Sequence, residues 1–431
     1  MKEFWSTVEI EKAVEQFFNT YVPRGESVVF AFSGGVDSMA LLHIVQKFSD
    51  WPIHVVHFDH GWRKESGSEA KILEKMVEQM GLPCKIVQLD KGKGNLEDWC
   101  RKERFRLLRE YALSLGASYI LLAHQADDQI EVVMKRFLEG SSVTKLRGMR
   151  PIEHRNGVNI LRPLLTVRKK EMLAYLEDRF YINDPTNKDC AFLRARMREQ
   201  IFPELRKSFG KDFSNSLLHI AQEAAEIETF VERTVKEAFI CHEVAGGFVV
   251  FPREESDPFL IKSLIRSMQE RLGVKTLSRQ QIDGAAFAFC DSRSGQKRFF
   301  SKSVALYVER GFLALFTRQL KAISPIECSE QSGQCQVGDW TVIWEPSSVQ
   351  EVERENWISL FQGKEQRWYI PQQPFTVCSI DKRLKPSSLR PYLPAIAQSL
   401  GLVADPINRY TVSLPLGSWA TCVKINLGDH G

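Results

Sequence analysis

The sequence predicts an α/β protein: an N-terminal doubly wound parallel sheet, then a mainly helical second domain, then a small mixed α/β C-terminal domain. Three observations carry this. Short apolar runs alternate with helix-length amphipathic segments over the first ~200 residues, which is the rhythm of βαβ units. Glycine-rich or charged clusters recur where those runs end, and ligands bind at the carboxyl ends of the strands in such sheets. From about Asp212 the alternation stops, and "SNSLLHIAQEAAEIETFVERTVKEAF" reads as one long helix with no strand beside it.

The elements follow in order. "MKEFWSTVEIEKAVEQFF" sets Glu3, Glu9, Glu11 and Glu15 among apolar residues, as an amphipathic helix does and a targeting segment does not. "SVVFAF", "IHVVHFDH", "PCKIVQLD" and "ASYILLAH" are strand-like. Between and after them, "SMALLHIVQKF", "SEAKILEKMVEQMG", "NLEDWCRKERFRLLREYALSLG" and "DDQIEVVMKRFLEG" carry helical periodicity, three of them closing on glycine. Further on, "GGFVVFP" and "VALYVERGFLALFTR" are strand-like, and "DPFLIKSLIRSMQERLG" and "SRQQIDGAAFAF" are helical. "KAISPIECSEQSGQCQVGD" is turn-rich and reads as a linker. The expected division is 1–211, 212–318, a linker with strands over 319–365, and 366–431.

Composition narrows the class. The 431 residues are 43% apolar and 26% charged, as in a soluble globular protein. No apolar run reaches the ~18 residues of a membrane span. Nine scattered cysteines contain no C-x-x-C, so neither zinc nor a redox pair is signalled, and a cytoplasmic location with reduced thiols is expected. The net charge of +4 is uneven: 141–210 holds fifteen Lys/Arg against eight Asp/Glu. A surplus of this kind fits either a solvated surface or a phosphate-backbone footprint.

The stretch "VVFAFSGGVDSMALLHIV" carries the chemistry. A strand-to-helix turn leaves helix N–H groups pointing outward, and with the helix dipole they favour an anion. Gly34 and Gly35 let phosphate approach the backbone, and Ser33 and Ser38 offer hydroxyls. Asp37 repels phosphate unless a cation stands between them, which points to magnesium. No lysine follows the glycines, so this is not a Walker loop.

"SGGVDS" resembles the PP-loop of the ATP-pyrophosphatase superfamily. Four further stretches are similar to the tRNA(Ile)-lysidine synthase family: "HFDHGWRKESGSEA", "NLEDWCRKERF", "AHQADDQIEV", and "LRPLLTVRKKEMLAYLEDRFYINDPTNKDCAFLRARMREQIFPEL". The resemblance covers about half the chain. Trp62, Val132, Glu139 and Ala195 depart from the family's usual leucine, threonine, arginine and asparagine. In the second stretch Asn95 is placed to cap a helix, with Asp98 near the capping-box position; Glu97, Arg101 and Arg104 share one face. In the third, His124 and Asp128 lie four apart, and the Asp127–Asp128 pair also suits a helix N-terminus on dipole grounds alone.

The resemblance implies a carbon–nitrogen ligase using ATP and Mg2+. In that family the C2 carbonyl oxygen of the wobble cytidine of a CAU-anticodon isoleucine tRNA attacks the α-phosphorus of ATP, and pyrophosphate leaves. The ε-amine of free L-lysine then displaces AMP, and the tRNA changes identity from methionine to isoleucine. Carried onto this sequence, Ser33, Gly34, Gly35, Val36, Asp37 and Ser38 would hold the phosphates, with Asp37 on the metal. Ala31, Phe32 and Phe58 would enclose adenine, Asp128 would hold an ammonium, and Arg104 would fork onto a carboxylate or phosphate. His124 is a candidate proton acceptor and Arg101 a candidate RNA contact. Arg194, Arg196 and Arg198 would share a face if extended and splay if helical. A homodimer is left open. The rival enzyme reading is a PP-loop tRNA 2-thiolation enzyme, whose relatives commonly need paired cysteines. An amide-forming synthetase or a non-catalytic RNA binder with a dead loop explains the basic region or the intact loop less well.

Overall fold

The computed structural model describes residues 5–59, 61, 66–89, 96–183, 189–244, 246–254, 257–274, 277–291, 297–309, 311–317, 326–328, 332–337 and 340–345, and the strands within 366–427. It divides into two compact units, Met1–Glu228 and Thr229–Gly431.

In the first unit, α1 (Thr7–Tyr21) opens with a capping box from Ser6 and Glu9 and buries Ile10, Val14 and Phe18. Then come β1 (Val28–Phe32), α2 (Val36–Val45), β2 (Ile53–Asp59), α3 (Ser66–Gln79), β3 (Cys84–Gln88), α4 (Leu96–Ser114), β4 (Tyr119–Leu122) and α5 (Ala126–Leu138). A hairpin follows, β5 (Ile152–Arg155) and β6 (Val158–Leu161), then α6 (Lys169–Leu176). The expected parallel sheet is present. Its order is β3-β2-β1-β4-β6-β5, parallel throughout except for β5 on the edge. The central strands β1 and β2 bury both faces, which is why their runs are mostly apolar. Phe30, Phe32 and Val28 pack with α1 and α2 on one face, and Val29 and Phe58 with α4 on the other. Full burial of such a side chain contributes roughly 1.5–3 kcal/mol.

The edge hairpin was not anticipated, although its signal is present. Asn156 and Gly157 both take positive φ, 50° and 82°, the geometry an Asn-Gly turn supplies.

The first unit continues as a helix broken in character: α7 (Leu193–Arg196), a π-helical turn (Met197–Ile201), and α8 (Phe202–Phe209). Pro203 explains the break. It lacks an N–H and its ring would meet the carbonyl four residues back, so the turn before it widens. Phe202 N–H accordingly donates to Met197 O, five residues back.

The division between the units falls within α9 (Ser214–Ala238). In the second unit, β7 (Phe239–Val244), β8 (Gly247–Pro252), α10 (Pro258–Arg271), α11 (Arg279–Cys290), β9 (Lys297–Phe300), β10 (Ala305–Glu309) and β11 (Phe312–Phe316) form helices on an antiparallel sheet of order β7-β8-β11-β10-β9. Ile261, Ile265 and Ala285 pack onto Val250, Leu306 and Leu313 as its core. Two four-stranded antiparallel sheets follow. One is β12 (Ile326–Cys328), β16 (Phe375–Ser379), β17 (Pro394–Gln398) and β18 (Val403–Ala404). The other is β13 (Gly333–Val337), β14 (Trp340–Glu345), β19 (Thr421–Leu427) and β15 (Gln366–Ile370).

Candidate active site

The strand order reverses between β1 and β4, so a crevice opens at their carboxyl ends. The chain leaves β1 as Ser33-Gly34-Gly35 and leaves β4 as Ala123-His124-Gln125. Topology thus brings together two motifs that are ~90 residues apart in sequence.

The first is a tight loop held by its own hydroxyls. Ser33 Oγ lies 3.0 Å from Ser38 Oγ, Ser38 Oγ donates to Gly35 O at 3.0 Å, and Gly35 N donates to Ser33 Oγ at 3.4 Å. Gly34 has φ +78°, and a Cβ there would sit 2.6 Å from Leu73 Cδ1, so glycine is required twice over. A crossing segment covers the loop, with Ile182 N donating to Gly34 O at 2.8 Å. Gly35 is the N-cap of α2 and makes no side-chain cap bond, which leaves the first-turn N–H groups for a ligand. On β2, His57 Nδ1 lies 3.0 Å from Phe32 O and ties the two strand ends together.

Asp37 sits in the first turn of α2 with Oδ1 buried and without a hydrogen-bond partner. Burial and the nearby Asp128 and Asp127 charges push its carboxyl up to about 7, against the pull of Lys169 and Arg198. An orphaned carboxylate oxygen beside phosphate-binding amides fits a hard divalent cation. Among the described residues no set of three or more His, Cys, Asp or Glu converges to hold a metal unaided.

The second motif opens α5 with a capping box. Gln125 N donates to Asp128 Oδ2 at 3.1 Å, and Asp127 N donates to Gln125 Oε1. Asp127 has a structural job, since Arg168 Nε and Lys169 N donate to its two oxygens at 2.9 Å each. The cap uses one oxygen of Asp128 and leaves that carboxylate facing Asp37 electrostatically. His124 is half-buried with Nδ1 fully shielded and unpartnered. Burial, together with Arg162, Arg194 and Arg104, holds its ring down at about 4, although Asp128 opposes them. The ring is neutral near pH 7, and it is a weak base in this state.

The remaining expected residues divide. Arg104, on α4, is close enough for its charge to act on His124, whereas Arg101 lies exposed one turn earlier. Ala31 and Phe58 lie on the α4 face of the sheet; Phe32 turns its ring into the opposite core, so only its backbone meets the crevice. The three alternating arginines do not share a face. Being helical, they splay: Arg198 and Arg194 reach Glu131 at 3.2 and 3.9 Å, while Arg196 turns back to Cys190 O at 3.4 Å. Asn95 lies outside the described residues, as do the side chains of Glu97 and Asp98 and the segment 184–188.

Sequence reasoning missed Glu131, Lys169 and Arg162. Glu131 is only 2% exposed, and burial pushes its carboxyl up to about 7 against Arg198. Its spacing of three from Asp128 and seven from His124 was the available signal. Lys169 and Arg162 lie inside a motif already singled out, but nothing in their spacing marks them for the crevice.

Comparison with known proteins decides the family. The PP-loop domain family matches residues 6–205. A tRNA(Ile)-lysidine synthase from Protochlamydia amoebophila (strain UWE25) is 32% identical over 385 residues, covering 86% of this chain and 83% of that protein. The chain belongs to the tRNA(Ile)-lysidine synthase family. A lysidine synthase from Chlamydia pneumoniae is 36% identical over 234 residues, 53% of this chain and 73% of that one. Among solved structures, the U34-tRNA thiolase NcsA from Methanococcus maripaludis with its [4Fe-4S] cluster aligns at TM-score 0.41 and 19% identity, over 51% of this chain and 79% of that one. Membership of the lysidine synthase family, with its PP-loop domain, implies the use of ATP.

Proposed function

We propose that this chain ligates L-lysine to C2 of the wobble cytidine of a CAU-anticodon isoleucine tRNA, by way of an adenylated tRNA, in the cytoplasm. The observation that carries the reading is the buried, unpartnered Asp37 oxygen beside a glycine loop that leaves helix amides open. Such a site suits a nucleotide polyphosphate bridged by a cation.

The residues then divide the work. The amides of Gly35, Val36 and Asp37 and the hydroxyls of Ser33 and Ser38 hold the leaving phosphates in line. Asp37 would hold Mg2+, which would supply charge neutralisation for a pyrophosphate leaving group. Asp128 supplies the carboxylate that attracts the doubly cationic lysine, while the buried Glu131 holds Arg194 and Arg198 in place beside it. Arg104, Arg194 and Arg198 face the anions opposite, on the adenylate or on the lysine carboxylate. His124 stays neutral and serves as a hydrogen-bonding partner, taking a proton only as phosphate charge gathers beside it. The cytidine must leave its stack to reach this crevice, as for other base-modifying enzymes.

The test is pyrophosphate release from ATP with the cognate transcript, followed by labelled lysine. Release that needs the tRNA, and then label in the tRNA, is the expected result; label that never enters the tRNA rejects the reading. The second unit is proposed to grip the tRNA outside the anticodon loop. Removing residues after about 320 should weaken tRNA binding and leave ATP binding intact; unchanged tRNA affinity rejects that assignment.

A further inference from the structure

The far end of α5 and the loop that runs back along the helix are built with unusual determinacy. The helix ends at Gly140 with φ +68°, and Ser141 N donates to Arg136 O at 2.9 Å, closing the last turn. The chain then makes a short 3-10 turn, Val143–Arg147, and reverses at Gly148. Two side chains of α5 take over the backbone of this loop. Arg136 Nη1 donates to Lys145 O and Gly148 O at 2.6 Å each. Gln129 Nε2 donates to Arg147 O at 2.8 Å and to Met149 O at 3.2 Å, and Met149 N donates back to Gln129 Oε1 at 2.7 Å.

A loop fixed this firmly holds its side chains in place, and those side chains are cations. Arg147 Nε and Arg150 Nη2 both donate to one oxygen, Glu228 Oε2, the second at 2.8 Å. The Lys145 amine is half-buried, and Arg147, Arg136 and Arg150 stand around it with Glu228 opposing them. Burial and these neighbours push Lys145 down to about 8. Two arginines drawn to a single carboxylate oxygen, with a lysine close by, have the charge and fork geometry that a phosphate satisfies better than a carboxylate does.

We propose that Lys145, Arg147 and Arg150 form a preorganised seat for a backbone phosphodiester of the RNA, with Glu228 holding the arginines in position while no RNA is bound. The loop that carries the seat runs along α5, tied to Arg136 near the helix's end and to Gln129 in its first turn. The seat would fix the register of the substrate and not touch the reacting base, as phosphate contacts do. This rests on the tRNA reading above.

The experiment measures tRNA affinity against salt, between about 50 and 200 mM, for the full-length protein and three variants. Arg150→Gln and Lys145→Gln should each weaken binding about 3- to 10-fold and reduce the slope of log affinity on log salt by roughly 0.7–0.9. Glu228→Gln should act in the opposite direction and tighten binding, because it removes a competing charge; a purely structural contact would give loss or no change. The KM for ATP should be unchanged in all three. Unaltered salt slopes, unchanged or weaker binding by Glu228→Gln, or a shifted KM for ATP in Arg150→Gln would each overturn the seat. If the parent protein fails to bind tRNA at all, the proposed function fails instead.

Discussion

Asp37 is held in two conflicting roles, and the conflict is measurable. A carboxyl raised from 3.8 to about 7 by burial and by Asp128 weakens the fold when ionised. Below about pH 4 it is protonated in folded and unfolded chains alike and costs nothing. Between there and about 7 the unfolded chain releases the proton while the folded chain keeps it, so stability falls across that window and levels off above it. Asp37→Asn should therefore stabilise the magnesium-free protein by nothing near pH 4 and by on the order of 2–4 kcal/mol at pH 8. Thermal unfolding of both proteins at the two pH values checks this; an advantage independent of pH contradicts it. The residue's position was legible in the sequence, because an acid just after the glycines of a strand-to-helix turn falls in the first turn of the helix. The setting of the buried Glu131 was not: only the fold shows that α7 and the π turn after it lay Arg194 and Arg198 against it.

At the scale of elements, glycines separate what the turn needs from what the packing needs. Gly140 and Gly148 have nearly the same φ, 68° and 69°, but a Cβ at Gly140 meets nothing within 4 Å while one at Gly148 meets Gln129 Oε1 at 2.5 Å. Gly140→Ala should cost about 1 kcal/mol, the backbone term alone. Gly148→Ala should cost roughly 2–4 kcal/mol, since it also displaces the amide that holds three backbone groups. Chemical denaturation of the two variants distinguishes them; equal losses would mean that the Gln129 bonds carry little. The same element scale marks where sequence reading stops. Parallel strands and their helices were visible from periodicity, because buried strands leave long apolar runs. The Asn156-Gly157 hairpin was readable from its turn chemistry and was passed over. The π turn was not readable, since Pro203 alone does not say whether a helix ends, kinks or widens.

For the whole molecule, the separate cores of the two units set the expectation. The sheet and helices of Met1–Glu228 and those of Thr229–Gly431 bury distinct sets of side chains. Unfolding should not be a single two-state transition. ATP with magnesium at about 100 times its dissociation constant should stabilise the first unit by about 2.7 kcal/mol and leave the second where it was. Calorimetry with and without the nucleotide reads this; two transitions shifted equally would contradict it. The sequence placed the change of architecture near Asp212, where the strand-helix alternation ends, but the helix that begins there belongs to both units, and periodicity cannot divide a continuous helix.

The activity is decided by a chemical outcome at one base. The direct measurement is the mass of the wobble nucleoside, released by digestion from isoleucine tRNA incubated with the protein, ATP, magnesium and lysine. A cytidine heavier by one lysine less a water, formed by the parent protein and absent with Asp37→Ala, is the predicted result. An unmodified cytidine, or one carrying sulfur, would contradict it.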